Sequence, residues 1–278
     1  MIYIDGDVIC YRAGFAAEQR IVETDEEGYS VSRMEVAPLE HAMQNLKEIV
    51  EFCLTELGQS DYKIFLTGRD NFRKDVATIK EYKANRKKAR YPIHLQALKD
   101  YLLEHHPTVV SEGEEADDLL GIALTDDPDN GIVVSNDKDL LMIPGRHYNF
   151  TNGTKIIIDE DMGRYKFWSQ MLTGDSTDNI MGCPQIGPKK TEKALSGIMH
   201  DDDYWEVVYN LYKKQLKDRP VEGISIDGDR VTYAPWRDPE NEVSVDLQDF
   251  LTEIGQLLWI RREPNQMWTP PTGGNEDE

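Results

Sequence analysis

Carboxylates fall at four places where secondary structure should begin or end. Asp5 and Asp7, in "YIDGDVI", follow the short apolar run Ile2, Tyr3, Ile4, and Glu115, Asp117 and Asp118 precede the stripe Leu119, Leu120, Ile122, Ala123. Asp137 and Asp139 follow "IVV", while Asp175 and Asp178 sit in "TGDSTDN". Any one cluster has an ordinary explanation, because acids complement the dipole of a helix's first turn and Asp beside Gly or Asn makes turns. Together they ask for more. Strand-end Asp5, strand-end Asp137 and helix-start Asp118 are predicted to converge on one edge of a parallel sheet, the edge where α/β folds bind ligands. Carboxylates gathered there repel one another unless a cation joins them. Two divalent metals about 4 Å apart relieve that repulsion and stabilise both the attacking and the leaving oxygen in phosphodiester hydrolysis.

The D-x-D spacing of Asp5 and Asp7 also fits the start of a haloacid-dehalogenase-type phosphatase, with Asp5 as nucleophile and Asp7 as general acid. Thr67 in "IFLTG" and the acids of "GDSTD" would complete such a site. That chemistry wants its closing acids at the end of a buried strand, whereas Phe167, Trp168, Met171 and Leu172 ahead of Asp175 have helical spacing. It also leaves Glu115, Asp117, Asp118, Asp137 and Asp139 without work.

The elements that must position these residues alternate between strand and helix over roughly the first 160 residues. "MIYID" reads as a buried strand stopped by Gly6, and Leu39, Met43, Leu46, Ile49, Val50, Phe52, Cys53 and Leu57 mark a helix over 38–57. "YKIFLTG" is a second strand, "HLQALKDYLLEHH" a helix, "TVV" a strand, "EEADDLLGIAL" a helix and "NGIVVSND" a strand. A mainly parallel α/β sheet flanked by helices is expected from residue 1 to 160. From 161 to 278 the pattern is mostly helical, in "YKFWSQMLTGD", "PKKTEKALSGI", "DYWEVVYNLYKKQL" and "LQDFLTEIGQLLWIRR", and it closes on a solvated acidic tail.

The chain has 278 residues, 52 Asp plus Glu against 31 Lys plus Arg, and a formal net charge of −21. That balance argues against nucleic acid unless cations are gathered locally. They are: Arg69 to Arg90 holds nine Lys and Arg against three acids. Tyr82 and Tyr91 among these cations suggest a segment that stacks on bases and grips phosphates. In "GCPQIGPKK" the glycines allow a tight hairpin, Gly187 and the following N–H groups can approach a phosphate, and Lys189, Lys190 and Lys193 add charge. The three cysteines and six histidines show no disulfide or zinc spacing, so hard oxygen ligands favour magnesium or manganese. No apolar run approaches the ~20 residues of a membrane span. A soluble, cytoplasmic protein is expected.

In order, "YIDGDVICYRA", "FRKDVATIKEYKANR", "EGEEADDLLG", "VVSNDKDLL" and "LTGDSTDNIMGCPQIGPKK" resemble the flap endonuclease and 5′-to-3′ exonuclease family, bacteriophage exonucleases above all, over about residues 1 to 195. The resemblance implies a PIN-like domain joined to a helix-hairpin-helix-type region. It implies that Asp5, Glu115, Asp117, Asp118, Asp137, Asp139, Asp175 and Asp178 hold two or more Mg²⁺ ions, with Mn²⁺ as substitute, and that water attacks the phosphodiester in line to leave 5′-phosphates. Residues 69–100 would form a helical arch over the active site. Lys83, in "EYKANR", would steer the scissile phosphate, with Arg73 as a second catalytic candidate. Tyr82, Arg86, Lys87 and Lys88 would contact DNA, and Gly187, Lys189 and Lys190 would do so at the hairpin, where K⁺ commonly binds. Where the family usually ends a strand in a metal-site Asp, this sequence has Thr67 and Gly68. Either Asp70 reaches back or Thr67 holds a water on the metal. Asp7 is then a turn-stabilising residue or one that braces the ligands from behind.

The expected partner is DNA with 5′ ends or 5′ flaps, or an RNA–DNA hybrid, in a phage-type replication or recombination role. Two further readings remain at this level: a PIN-like protein that grips nucleic acid without cutting it, and a PIN-type ribonuclease.

Overall fold

The computed structural model describes residues 1–24, 28–219 and 221–271; the side chain of Lys88 and the acidic tail from residue 272 lie outside the described residues. In chain order the elements begin with β1 (Ile2–Asp5), α1 (Gly6–Ala16), β2 (Glu18–Thr24), β3 (Ser30–Val36), α2 (Leu39–Leu57), β4 (Tyr62–Leu66), α3 (Phe72–Val76) and α4 (Leu95–His105). They continue with β5 (Thr108–Val110), α5 (Ala116–Asp126), β6 (Ile132–Val134), β7 (Gly145–Asn149), β8 (Thr154–Ile158), α6 (Glu160–Thr173) and α7 (Pro188–Leu195). The last are α8 (Asp201–Asp218), β9 (Ile224–Asp227), β10 (Arg230–Tyr233), β11 (Val243–Asp246) and α9 (Leu247–Leu258). Short 3₁₀ turns lie at Ala84–Lys88 and Asp139–Met142.

These elements sort into two units that interleave along the chain, and the boundary expected near residue 160 is only one of several crossings. The first unit takes Met1–Asp70, Arg90–Lys138 and Gly145–Ile157; the second takes Asn71–Ala89, Asp139–Pro144 and the chain from Ile158 onward.

The first unit is built on a six-stranded sheet in the order β5-β4-β1-β6-β7-β8. β1 runs parallel to β4 on one side and β6 on the other, and β4–β5 and β6–β7 are parallel as well. A central parallel strand is covered on both faces, which is why the opening run is uniformly apolar: Ile2 and Ile4 are wholly buried. Each such side chain is worth about 1.5–3 kcal/mol of burial. The core spreads to Ile9, Cys10 and Ala13 of α1, Leu46, Val50 and Cys53 of α2, and Leu98 and Leu102 of α4. Gly6 is demanded by close packing, because a Cβ there would meet the Phe65 carbonyl oxygen at 2.7 Å. Between α1 and α2 the chain makes the antiparallel ribbon β2–β3, which the sequence reading did not anticipate.

In the second unit the four expected helices form, α6 to α9, around Phe167, Trp168, Tyr212, Phe250 and Leu251. Trp168 stacks nearly parallel on Tyr204, with centroids 5.9 Å apart. Contrary to the mostly helical expectation, this unit also carries a three-stranded antiparallel sheet in the order β11-β10-β9. The stretch for which the resemblance implies a helical arch is helical only in the five-residue α3, the 3₁₀ turn and the later α4. Its part from Asn71 to Ala89 is fastened to the second unit through its backbone. Glu253 accepts the N–H groups of Thr78 and Ile79 at 2.8 Å each, Trp236 donates to the Ala77 and Thr78 carbonyls, and Asn179 donates to the Glu81 carbonyl at 2.9 Å.

Candidate metal and DNA site

Asp5 closes β1 and caps α1. One oxygen accepts the Val8 N–H at 3.0 Å and the other accepts the Ser135 hydroxyl at 2.7 Å. Ser135 follows β6, so the two strand ends are joined by this bond, and its oxygen also accepts the Asp137 N–H at 3.0 Å. Asp5 is only 2 % exposed. Burial pushes its carboxyl well above the ordinary range; the Val8 and Ser135 hydrogen bonds pull it back, and the Asp7 and Asp137 charges push it up again. The expected approach of Asp5 and Asp137 at one sheet edge is thus felt electrostatically, in a carboxyl group whose ionised form is disfavoured.

Asp7 holds the end of the neighbouring strand. It accepts the Thr67 N–H at 2.9 Å and pairs through its other oxygen with Lys99 of α4 at 2.5 Å. Thr67 in turn accepts the N–H of Ala116, first residue of α5, at 3.0 Å. The residue standing where an Asp was expected thus caps the helix that carries the next acids. Gly68 is the second position that close packing dictates: a Cβ would overlap the Ser111 carbonyl, and its N–H donates to the Ser111 hydroxyl at 3.0 Å. Asp118, wholly buried, accepts the Glu115 N–H at 3.0 Å in a capping box, with Glu115 also buried and Asp117 half-buried in the same first turn. Asp70 is exposed.

The eight expected ligands divide between the units: Asp5, Glu115, Asp117, Asp118 and Asp137 in the first, Asp139, Asp175 and Asp178 in the second. Among the described residues no three acid, histidine or cysteine side chains already form a group that could hold an ion. The donor chemistry nonetheless fits a hard cation, since the oxygens gathered around Asp5 are carboxylates and a hydroxyl. In the second unit Asp139 is taken by Lys166 at 3.0 Å and Gln170 at 2.7 Å. Asp175 shapes its own turn, accepting the Thr177 N–H at 2.7 Å. "GDSTD" thus follows helix α6 and ends no strand, which removes the phosphatase reading of Asp5 and Asp7.

Asp178 organises the basic segment. It accepts the Tyr82 hydroxyl at 2.9 Å, pairs with Arg86 at 2.5 Å and lies 3.6 Å from the Lys83 ammonium. Its carbonyl also accepts the Lys83 N–H at 2.8 Å. Lys83 sits in the left-handed backbone region, φ 57°, a conformation costing an ordinary residue about 1–2 kcal/mol. Two sequence assignments are corrected here. Tyr82 is 8 % exposed, its hydroxyl spent on Asp178, so its ring offers no face to a base; the exposed tyrosine of the stretch is Tyr91. Arg73 is 3 % exposed and donates to the Leu257 and Trp259 carbonyls at 3.0 and 2.6 Å, because a buried guanidinium needs acceptors and the end of α9 leaves carbonyls open. It is a structural residue. Lys87 is exposed and paired with Glu81 at 2.7 Å. Gly187 caps α7 with open space where a Cβ would lie, and Lys189 and Lys190 are exposed beside it.

Sequence reasoning missed Ser135 and Lys99. Ser135 had a local signal, standing two residues before Asp137 at a strand end. Lys99 had none, lying 92 residues from its partner on a helix of ordinary amphipathic pattern.

The mainly parallel sheet with covering helices, and its likeness to T5 5′-exonuclease at a TM-score of 0.54, give the chain a PIN-like α/β fold. Residues 1–168 match the 5′-3′ exonuclease, N-terminal resolvase-like domain, and the chain belongs to that family. It is 30 % identical over 199 residues to the flap endonuclease Xni of Shewanella baltica, covering 65 % of this chain and 75 % of that protein. It is 24 % identical over 218 residues to DNA polymerase I of Caldicellulosiruptor bescii, covering 70 % of this chain but 24 % of the polymerase, so the match spans about a quarter of that relative. Among solved structures, phage T5 5′-exonuclease with bound divalent metal ions (zinc) matches with a TM-score of 0.53 and 17 % identity, over 77 % of this chain and 84 % of that one. Among the described residues no helix is long and apolar enough to cross a membrane.

Proposed function

We propose that the protein is a Mg²⁺-dependent 5′-to-3′ exonuclease and 5′-flap endonuclease that hydrolyses DNA and leaves 5′-phosphates. The observation that carries this reading is buried Asp5 at the end of β1, with the Asp7 and Asp137 charges bearing on it, in a chain of the 5′-3′ exonuclease family. Asp5, Glu115, Asp117, Asp118 and Asp137 are the residues that would hold the metal ions. When bound, the ions supply the charge that favours in-line attack by water and stabilises the leaving oxygen. Ser135 keeps Asp5 aimed, and Thr67 fixes the start of α5, so that Asp117 and Asp118 need little rearrangement.

DNA is gripped through its backbone. Gly187 leaves the α7 N-terminus open to a phosphate, Lys189 and Lys190 add charge, and none of these reads a base edge, so binding is largely independent of sequence. This is the helix-hairpin-helix role, and the hairpin ahead of α7 is also the place for K⁺. Lys83 and Arg86, held by Asp178 in the free protein, exchange that carboxylate for phosphate. The family likeness supports a role in DNA replication or recombination, which we place in a phage-type setting as part of this reading.

The second reading, a PIN-like protein that binds nucleic acid without cutting it, is favoured by Thr67, which caps α5 where a carboxylate was expected. A 5′-labelled duplex and a 5′-flap substrate, incubated with Mg²⁺ and with EDTA, separate the two. Cleavage with Mg²⁺ alone, lost in Asp137→Ala, supports the nuclease; retained binding with no metal-dependent cleavage supports the second reading.

A further inference from the structure

Lys99 lies 92 residues from Asp7 in sequence and enters none of the motifs, yet its ammonium is 2.5 Å from an Asp7 oxygen. Both side chains are 21 % exposed, so water screens the contact only in part. The other Asp7 oxygen is bound to the Thr67 N–H, and Thr67 reaches Ala116. Three polar contacts therefore run from α4 through the first turn of α1 to the end of β4 and the start of α5, past three of the acids proposed to meet metal: Asp5, Asp117 and Asp118. A lysine on a solvated face would not be spent this way. Asp7, two residues beyond buried Asp5, would otherwise add a bare negative charge to a crowded edge.

We infer that Lys99 is a resident counter-cation of the carboxylate edge: held by Asp7, it supplies a fixed positive charge there and so weakens the affinity of that edge for divalent ions. The inference rests on reading Asp5 and its neighbours as a divalent-ion site. Lys99 touches neither substrate nor reacting atoms; it is a positioning residue. Its charge keeps Asp7 turned toward Thr67 instead of toward an incoming ion, and it competes electrostatically with that ion. The site then fills and empties at higher free metal concentrations than the carboxylates alone would set.

The test is direct Mn²⁺ binding to the full chain, without DNA, by calorimetry or by electron paramagnetic resonance of free Mn²⁺. Lys99→Gln should bind Mn²⁺ about tenfold more tightly than the parent, and Lys99→Arg, which keeps the charge, should match the parent. Equal or weaker binding by Lys99→Gln overturns the inference, because a merely structural lysine would not change affinity in that direction. Should Lys99→Gln fail to fold around an unpaired Asp7, the double variant Asp7→Asn with Lys99→Gln restores neutrality. It should bind within about threefold of the parent, the pair's net charge being unchanged, and a loss beyond about tenfold would make Asp7 a direct ligand and overturn the role given to Lys99. If the parent itself binds no Mn²⁺, the metal reading of the site fails first and takes the inference with it.

Discussion

At Asp5, stability and function pull apart. A carboxyl buried at a strand end beside Asp7 and Asp137 costs the metal-free protein free energy, and an amide would remove the charge while its oxygen still accepts the Val8 N–H and its NH2 donates to the Ser135 oxygen, reversing that bond. Asp5→Asn should therefore lose about a hundredfold or more in DNA cleavage while melting no lower than the parent in EDTA, as activity assays and thermal scans will check. His106 gives a pH dependence of its own. Burial, then His105 and Lys47, lowers its pKa below the ordinary 6.5, and its Nδ1 meets the Tyr62 hydroxyl at 2.9 Å. The folded state thus prefers the neutral ring: this contribution is complete above 6.5 and is lost as pH falls through the lowered folded value. Urea midpoints should decline over that interval, and His106→Gln should flatten the decline. Asp5, Asp118 and Asp137 were legible in the sequence because strand ends and helix starts can be read from apolar periodicity. The duties of Tyr82 and Arg73 were not, since a tyrosine or arginine among cations looks alike whether it faces solvent or a carbonyl.

Among the elements, α9 has a reach its apolar pattern does not announce. Its end takes the Arg73 guanidinium, and Glu253 holds the backbone of Thr78 and Ile79. Arg73→Ala would leave the Leu257 and Trp259 carbonyls without this donor, so it should destabilise the protein by roughly 2–4 kcal/mol in urea. Cleavage per folded molecule, measured well below the melting temperature, should stay near the parent's; a loss of a hundredfold would return Arg73 to the catalytic group. The helices α2, α4, α5 and α6 to α9 and the strands β1, β4, β5 and β6 follow the predicted order because the helices carry spaced apolar positions and the strands read as short apolar runs bounded by turn residues. The sheet β9–β11 was missed although "ISIDGDRVTY" alternates Ile224, Ile226, Val231 and Tyr233 around a Gly228–Asp229 turn, a hairpin signal outweighed by the neighbouring helices. The stretch expected as a helical arch is only partly helical for a different reason: the N–H groups of Thr78, Ile79 and Lys83 and the carbonyls of Ala77, Thr78 and Glu81 find partners remote in sequence, which no local pattern encodes.

For the whole molecule, a chain of net charge −21 can hold DNA only through a few local cations, and the proposed DNA binding should expose them through its salt dependence. Binding should weaken steeply with salt, and Lys189→Ala with Lys190→Ala should reduce the slope of log K against log salt by about 1–2 while leaving sequence preference unchanged. The interleaving of the units allows a second global test. Ending the chain after Ile158 removes Asp178 and Glu253, so the amides of Thr78, Ile79 and Lys83, hydrogen-bonded in the full protein, should exchange freely in the shortened one even where β1, β4 and β6 stay protected. The same interleaving has a consequence in time. Arg86 leaves the ribosome 92 residues before Asp178, the acid that pairs with it and with Lys83. At about 5–20 residues per second that is an interval of roughly 5–20 s, during which these two cations stand beside a ribosome made largely of RNA without that acid. The nascent chain should therefore have an affinity for polyanions that the finished protein keeps in check.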